Sequence, residues 1–367
     1  MFVNAGPAAI PDVHYPPADQ DLQGGAFDGP IRRLHLNESF LPPSPKVVEA
    51  IQKACSTVNR YPDPKARGIT KVLAERLSFP VGQIVVTNGS DQGISIIGEL
   101  FLGEGRSVVL PEPSFPSYLR AAETAGAETL LIPLREDGAN SVEAMIDAVT
   151  DSTTAVFVSS PNNPTGAILQ EPEVRLLAER LPDSVLLVLD DAYCEFAKHS
   201  GGPDNLEILR KHRRGPWIVL RTLSKAYGIA GMRVGYVLCS SQALAESFRK
   251  VTPIFPVGLL SQVAAEAALS DQPYSDWLVQ ETVKHREALA DSLRSLGLHV
   301  LPTEANFVAF RVDRLATTVI AALAKKGILI GACRSSLEVW DNYLRASVGS
   351  PEDTRAFLEA LKQELNL

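Results

Sequence analysis

Ser224 and Lys225 stand directly after the apolar run at 217–220, and the small residues that follow them include a single arginine, Arg233. A lysine placed where a buried strand gives way to close-packed backbone is either a charge leaving the core or an amine held in a cleft. In the second case it can be deprotonated and can attack a carbonyl. Other strand ends carry polar or glycine-rich turns as well: TNGSDQG at 87–93, PEPSFPSY at 111–118, SSPNNPTG at 159–166 and LDDAY at 189–193. Each alone reads as ordinary turn or cap chemistry. NNPTG fixes a turn, Ser90 or Asp91 caps a helix, Asp190 caps a helix beginning at Ala192, and Phe115 is core. An open α/β sheet collects ligands beyond the carboxyl ends of its strands, so together these turns outline one site.

The elements that must position them alternate along the chain. Continuous apolar runs at 83–87, 107–111, 128–134, 154–160, 185–190 and 217–222 predict strands covered on both faces, because unbroken hydrophobicity rather than alternation marks them. Segments with helical apolar spacing lie between, such as those at 116–126, 141–149 and 171–181. This is the signature of an α/β domain with a mainly parallel sheet. After Pro256 long helices give way to the strands NFVAFRV, ILIG and YLRASVG among further helices, which predicts a smaller α+β C-terminal domain. The expected division is an irregular arm over 1–44, a large domain over 45–255 and a small one over 256–367.

Composition narrows the function classes. With 367 residues and a formal net charge of -8, the chain is long enough for more than one domain and lacks the basic surface that nucleic acid requires. The one basic cluster, at 210–214, reads as a solvated helix end and loop. Cys55, Cys194, Cys239 and Cys333 are scattered without a CxxC pair, which suits reduced thiols and no structural zinc. The histidines, His14, His35, His199, His212, His285 and His299, show no metal spacing. No signal peptide or membrane span is indicated, so a cytoplasmic protein is expected.

NNPTG, DDAY, the SK pair and R-x-G, at these separations, resemble fold type I pyridoxal-phosphate enzymes of the aspartate-aminotransferase type, and most closely the histidinol-phosphate aminotransferase branch. The resemblance runs from LHLNES at 34–39 and RYPDP at 60–64 to YLRASVG at 343–349. It implies a seven-stranded sheet sandwiched by helices and pyridoxal 5'-phosphate as cofactor. It also implies a ping-pong exchange of an amino group between an L-amino acid or amino alcohol and a 2-oxo acid. Lys225 would carry the cofactor as a Schiff base and move the substrate proton, and Asp190 would sit against the pyridine nitrogen. Tyr193 and Asn163 would bond the phenolate oxygen, and Phe115 would stack on the ring. Ser90, Asp91, Thr222, Ser224 and Arg233 would cup the phosphate. Tyr61 would reach the phosphate of the neighbouring subunit in a homodimer. Arg345 would grip the substrate α-carboxylate, with Asn37 and Arg334 as further substrate residues.

Departures bear on the substrate. The branch carries N-E-N-P where this chain has Asn37, Glu38, Ser39 and Phe40, and it uses an arginine on the substrate phosphate where this chain has Gly331. Asp191 replaces a customary glutamate. An unphosphorylated substrate is therefore expected, unless Arg334 takes the missing place. A decarboxylase of the threonine-phosphate type would share every cofactor residue, and histidinol-phosphate aminotransferase proper stays open. A regulatory DNA-binding fusion is not expected, because the residues of this sequence ahead of the first helix are too few for a separate reader domain.

Overall fold

The computed structural model describes residues 29–367. The arm expected over 1–44 lies mostly outside that range, as does His14. Its described part contains a strand the sequence reading did not pick out, β1 (Arg32–Leu34), read there as part of an irregular arm.

The large sheet has the order β2-β8-β7-β6-β5-β3-β4. Its strands are β2 (Ile84–Thr87), β3 (Ser107–Glu112), β4 (Glu128–Pro133), β5 (Thr153–Ser159), β6 (Leu186–Asp190), β7 (Trp217–Thr222) and β8 (Gly235–Cys239). All pairs from β4 across to β7 are parallel, whereas β8 runs antiparallel to both β7 and β2. In β6, Leu187 and Leu189 join one apolar core while Leu186 and Val188 join the other, so helices bury both faces. β4 departs from the expectation of a strand covered on both sides: it is the sheet edge, and its residues are half-buried or exposed. β8 carries little signal in the sequence because its short run follows a stretch of small residues and glycines.

The second sheet has the order β1-β11-β12-β10-β9 and contains β9 (His299–Val300), β10 (Phe307–Arg311), β11 (Ile328–Ala332) and β12 (Tyr343–Ser347). β1 pairs in parallel with β11, Arg32 opposite Ile328 and Leu34 opposite Ile330. The chain before residue 45 is thus stitched to its far end. The helix Leu259–Leu269 packs its alanines into the core of the large sheet, together with Val47 and Ile69.

Candidate active site

The helix Gly89–Phe101 follows β2 and begins with Asn88 as its N-cap, not with Ser90 or Asp91. Ser90 and Asp91 therefore lie in the first turn, where backbone N–H groups have no partner within the helix and form an anion site. Two glycines let this turn come close to β8. A Cβ on Gly235 would lie 2.4 Å from Gly89 C and from Ser90 N, and a Cβ on Gly89, at φ +70°, would lie 2.6 Å from Arg233 Nη2. Thr222 Oγ1 donates to Ser224 Oγ at 2.9 Å, and Arg233 Nη1 reaches Ser224 Oγ at 3.4 Å. Hydroxyls, the helix start and the guanidinium are thus brought together, with glycine where a side chain would intrude. The residues fit a phosphate group.

Lys225 is half-buried, and its Nζ donates to the carbonyls of Leu36 at 3.1 Å and Asn37 at 2.9 Å. Burial, reinforced by the charges of Arg345 and Arg233 and opposed by Glu38, pushes this amine down to about 7. Asp190, 5% exposed at the end of β6, accepts from Tyr118 Oη at 2.6 Å and from the Ala192 N–H at 3.1 Å. Burial raises its carboxyl to about 6; those two bonds pull it back, and Asp191 and Asp91 push it up. The site thus combines an amine that loses its proton near neutrality with a buried carboxyl at the end of β6. This pair fits a carbonyl-bearing cofactor with a basic ring nitrogen.

Asn37 is a hub. It is buried at φ +55°, its N–H donates to Ser347 Oγ at 2.8 Å, and its Nδ2 donates to Tyr193 Oη at 3.1 Å. Asn306 Nδ2 donates to the same Asn37 carbonyl that Lys225 uses, at 3.0 Å. Tyr193 is buried edge-on to Phe307, and burial pushes its phenol up to about 12. Arg345 donates to Asn163 Oδ1 and, at 2.7 Å, to the His35 carbonyl, and its guanidinium carbon lies 5.4 Å from the centre of the Phe307 ring. Its Nε is buried without a hydrogen-bond partner. Asn163 therefore holds Arg345 in this structure. Gly331 is paired across the β11–β12 ladder with Arg345, and a Cβ there would stand 3.1 Å from Arg345 Nη2.

Other expectations fare differently. Phe115 is the N-cap of the helix Pro116–Ala125, edge-on to Tyr118 at 5.8 Å. Tyr61 is 81% exposed and stacks on Phe255, apart from the residues gathered round Lys225. Arg334 is exposed and forms no ion pair among the described residues, although its charge helps lower the pKa of Arg345. Asp191 stands behind Asp190, bound by Arg221 at 2.9 and 2.7 Å and by Asn205 at 3.0 Å. Within the basic cluster Arg213 is buried rather than solvated. It donates to the carbonyls of Leu181, Pro182 and Val185, because a guanidinium can satisfy several orphan acceptors at once. Among the described residues no group of three or more His, Cys, Asp or Glu is placed to hold a metal.

Sequence reasoning missed Tyr118, Asn306 and Arg221. Tyr118 looks like core in a helical pattern, and Asn306 looks like the start of a strand. Arg221 is one more polar residue at a strand end. Only Arg221, in RTLSK, carried any signal.

Fold and site together define a pyridoxal-phosphate enzyme. A solved structure of histidinol-phosphate aminotransferase from Sinorhizobium meliloti in complex with pyridoxal-5'-phosphate superposes with a TM-score of 0.89 at 27% identity, covering 99% of this chain and 97% of that one. In sequence, histidinol-phosphate aminotransferase 2 of Carboxydothermus hydrogenoformans is 34% identical over 338 residues, 92% of each chain. Histidinol-phosphate aminotransferase of Symbiobacterium thermophilum is 36% identical over 350 residues, 95% of this chain and 94% of that one. The profile of the family described as aminotransferase class I and II matches residues 33–361, and the chain belongs to that family. It is a pyridoxal-phosphate-dependent aminotransferase working between an amino donor and a 2-oxo acid.

Proposed function

We propose that the enzyme takes an unphosphorylated L-amino acid as donor, with Arg345 on the α-carboxylate, and that the site is completed across a homodimer. The observation that carries the substrate reading is Gly331 facing Arg345 with no side chain between them. No second guanidinium stands at that position to meet a phosphate, and the bulk of any side chain there would press on Arg345.

When bound, pyridoxal phosphate supplies a carbonyl that captures amines and a ring that takes up the electron pair left at the substrate Cα. The protein's residues divide the remaining work. Lys225, whose amine loses its proton around pH 7 and is increasingly neutral above it, accepts the proton from the substrate Cα and returns it. Asp190 would offer a fixed negative charge to the ring nitrogen, while Tyr193 and Asn163 would offer hydrogen bonds to the phenolate oxygen. Ser90, Asp91, Thr222, Ser224 and Arg233 would hold the phosphate, and Phe115 would cover the ring face. Asn37 keeps Tyr193 and Lys225 in register with Arg345, two residues from its own partner Ser347. Guanidinium geometry suits a carboxylate, which is why lysine would serve poorly at position 345.

A second reading rests on Arg334. It is exposed beside the site with no carboxylate paired to it among the described residues, so it is available to a substrate phosphate, and the relatives' names point to histidinol phosphate. The same scaffold reading includes a large body over 45–255 and a small one over 256–367, with the helix Leu259–Leu269, beyond that boundary, contributing its alanines to the core of the large sheet. A cytoplasmic location is also proposed, and the free, scattered cysteines support it. Steady-state kinetics on a panel of donors test the substrate. Unphosphorylated amino acids are expected to give the highest kcat/KM, and Arg345→Ala to reduce it by about 10- to 100-fold. A large preference for histidinol phosphate that Arg334→Ala abolishes would overturn the proposal.

A further inference from the structure

Tyr118 has 0% exposure, and its hydroxyl lies 2.6 Å from Asp190 Oδ2, within the range of strong O–H···O⁻ bonds. The ring is fixed by Phe157 at 5.1 Å and by Phe115 at 5.8 Å, so the phenol has one place to point. Tyr118 and Phe115 come from the start of one helix, which thereby reaches both the face and the floor of the cofactor cleft. We infer that Tyr118 is a positioning residue for Asp190, fixing the orientation of the carboxylate and keeping it ionised where the cofactor ring nitrogen needs a negative partner. This rests on the role proposed above for Asp190.

The surroundings of Asp190 make such a donor necessary. Asp91, from the helix after β2, and Asp191, from its own strand end, both disfavour its charge. Tyr193 lies close enough for the two groups to oppose each other's ionisation. Arg221 is the nearby cation, and both of its contacts go to Asp191 Oδ2. Among the described residues, Tyr118 is the one side chain that donates to Asp190, the Ala192 N–H being the other donor. Burial drives the Tyr118 phenol well above its ordinary value, so it keeps its proton and remains a donor at every working pH. Each Asp190 oxygen accepts one bond from the protein, and each retains a lone pair for another donor.

Tyr118→Phe removes the hydroxyl and keeps the ring packing. In cofactor-free protein, infrared titration of the protonated carboxyl stretch, assigned with Asp190→Asn, reads the charge of Asp190 directly. The midpoint is expected to rise by about one to two pH units, the equivalent of one hydrogen bond to a charged group. In the loaded enzyme the acid limb of kcat should move upward with it while KM holds. A midpoint that moves by less than about 0.3 units, well below the worth of such a bond, overturns the inference. A midpoint shift with an unmoved kcat profile would uphold Tyr118 as the partner of Asp190 and count instead against Asp190's role at the ring. Fluorotyrosine incorporation serves if the variant does not fold. The more acidic phenol should lower the Asp190 midpoint in an otherwise unchanged chain, and an unmoved midpoint there also overturns the inference.

Discussion

Carbonyl oxygens of Leu36 and Asn37, rather than a carboxylate, meet the Lys225 amine, and that choice of partner governs its charge. A carbonyl accepts a hydrogen bond from either protonation state, so burial prevails and the amine falls to about 7 from an ordinary value of 10.5. A base whose folded pKa is depressed opposes folding when protonated. The opposition is absent above the unfolded value, grows as pH falls, and is complete below about 7. Acetylation of cofactor-free protein with acetic anhydride, followed by peptide mapping, should therefore show Lys225 reactivity rising with a midpoint near pH 7. Ordinary exposed lysines titrate near pH ~10.4. A Lys225 midpoint as high as theirs would remove the argument for a neutral amine at working pH. The motif lysine was legible in the sequence because its neighbours are small and its strand is apolar. Its carbonyl partners were not, since no side-chain identity marks a backbone oxygen.

At the scale of elements, the phosphate cradle depends on how closely the start of the helix Gly89–Phe101 lies against β8. Gly235 is the tightest point, and the atoms a Cβ would strike are backbone, which cannot swing aside as a side chain end can. Gly235→Ala should cost about 1 to 3 kcal/mol in urea unfolding, as overpacking does. It should also weaken cofactor binding by about tenfold or more, measured by equilibrium dialysis, because the helix amides would be displaced from the anion. Unchanged affinity would show that the amides do not hold the phosphate. The strands β2, β3, β5, β6 and β7 were legible as apolar runs, and the turns after them as polar clusters. β8 and β1 were not, because a strand earns its place in a sheet by pairing, and short runs among glycines or arginines carry little periodicity. Tyr118 shows the same limit from the other side. Its helical spacing reads as core, and its partner Asp190 is 72 positions away.

For the whole molecule, the homodimer proposed above would need a surface to bury, and exposed apolar residues offer one. Val58 is 58% exposed, Tyr61 81% and Ile254 74%, with Phe255 stacked on Tyr61. Exposed apolar surface is what a subunit interface buries. Sedimentation should report a dimer, and Ile254→Asp should dissociate it and lower cofactor affinity together. A fully active monomer would refute the shared site. The pairing of β1 with β11 and of Asn37 with Ser347, 310 positions apart, has a further consequence for synthesis. A ribosome releases Lys225, Asp190 and the phosphate cradle well before it makes the strand that fixes Asn37. Until β11 emerges the first described strand has no neighbour, and until β12 follows the lysine lacks anchored carbonyl partners. Contacts of such long sequence separation form late. The nascent enzyme therefore stays unarmed until β12 has been made, and a chain stopped short of Tyr343 would carry the motifs of the site without a seated lysine.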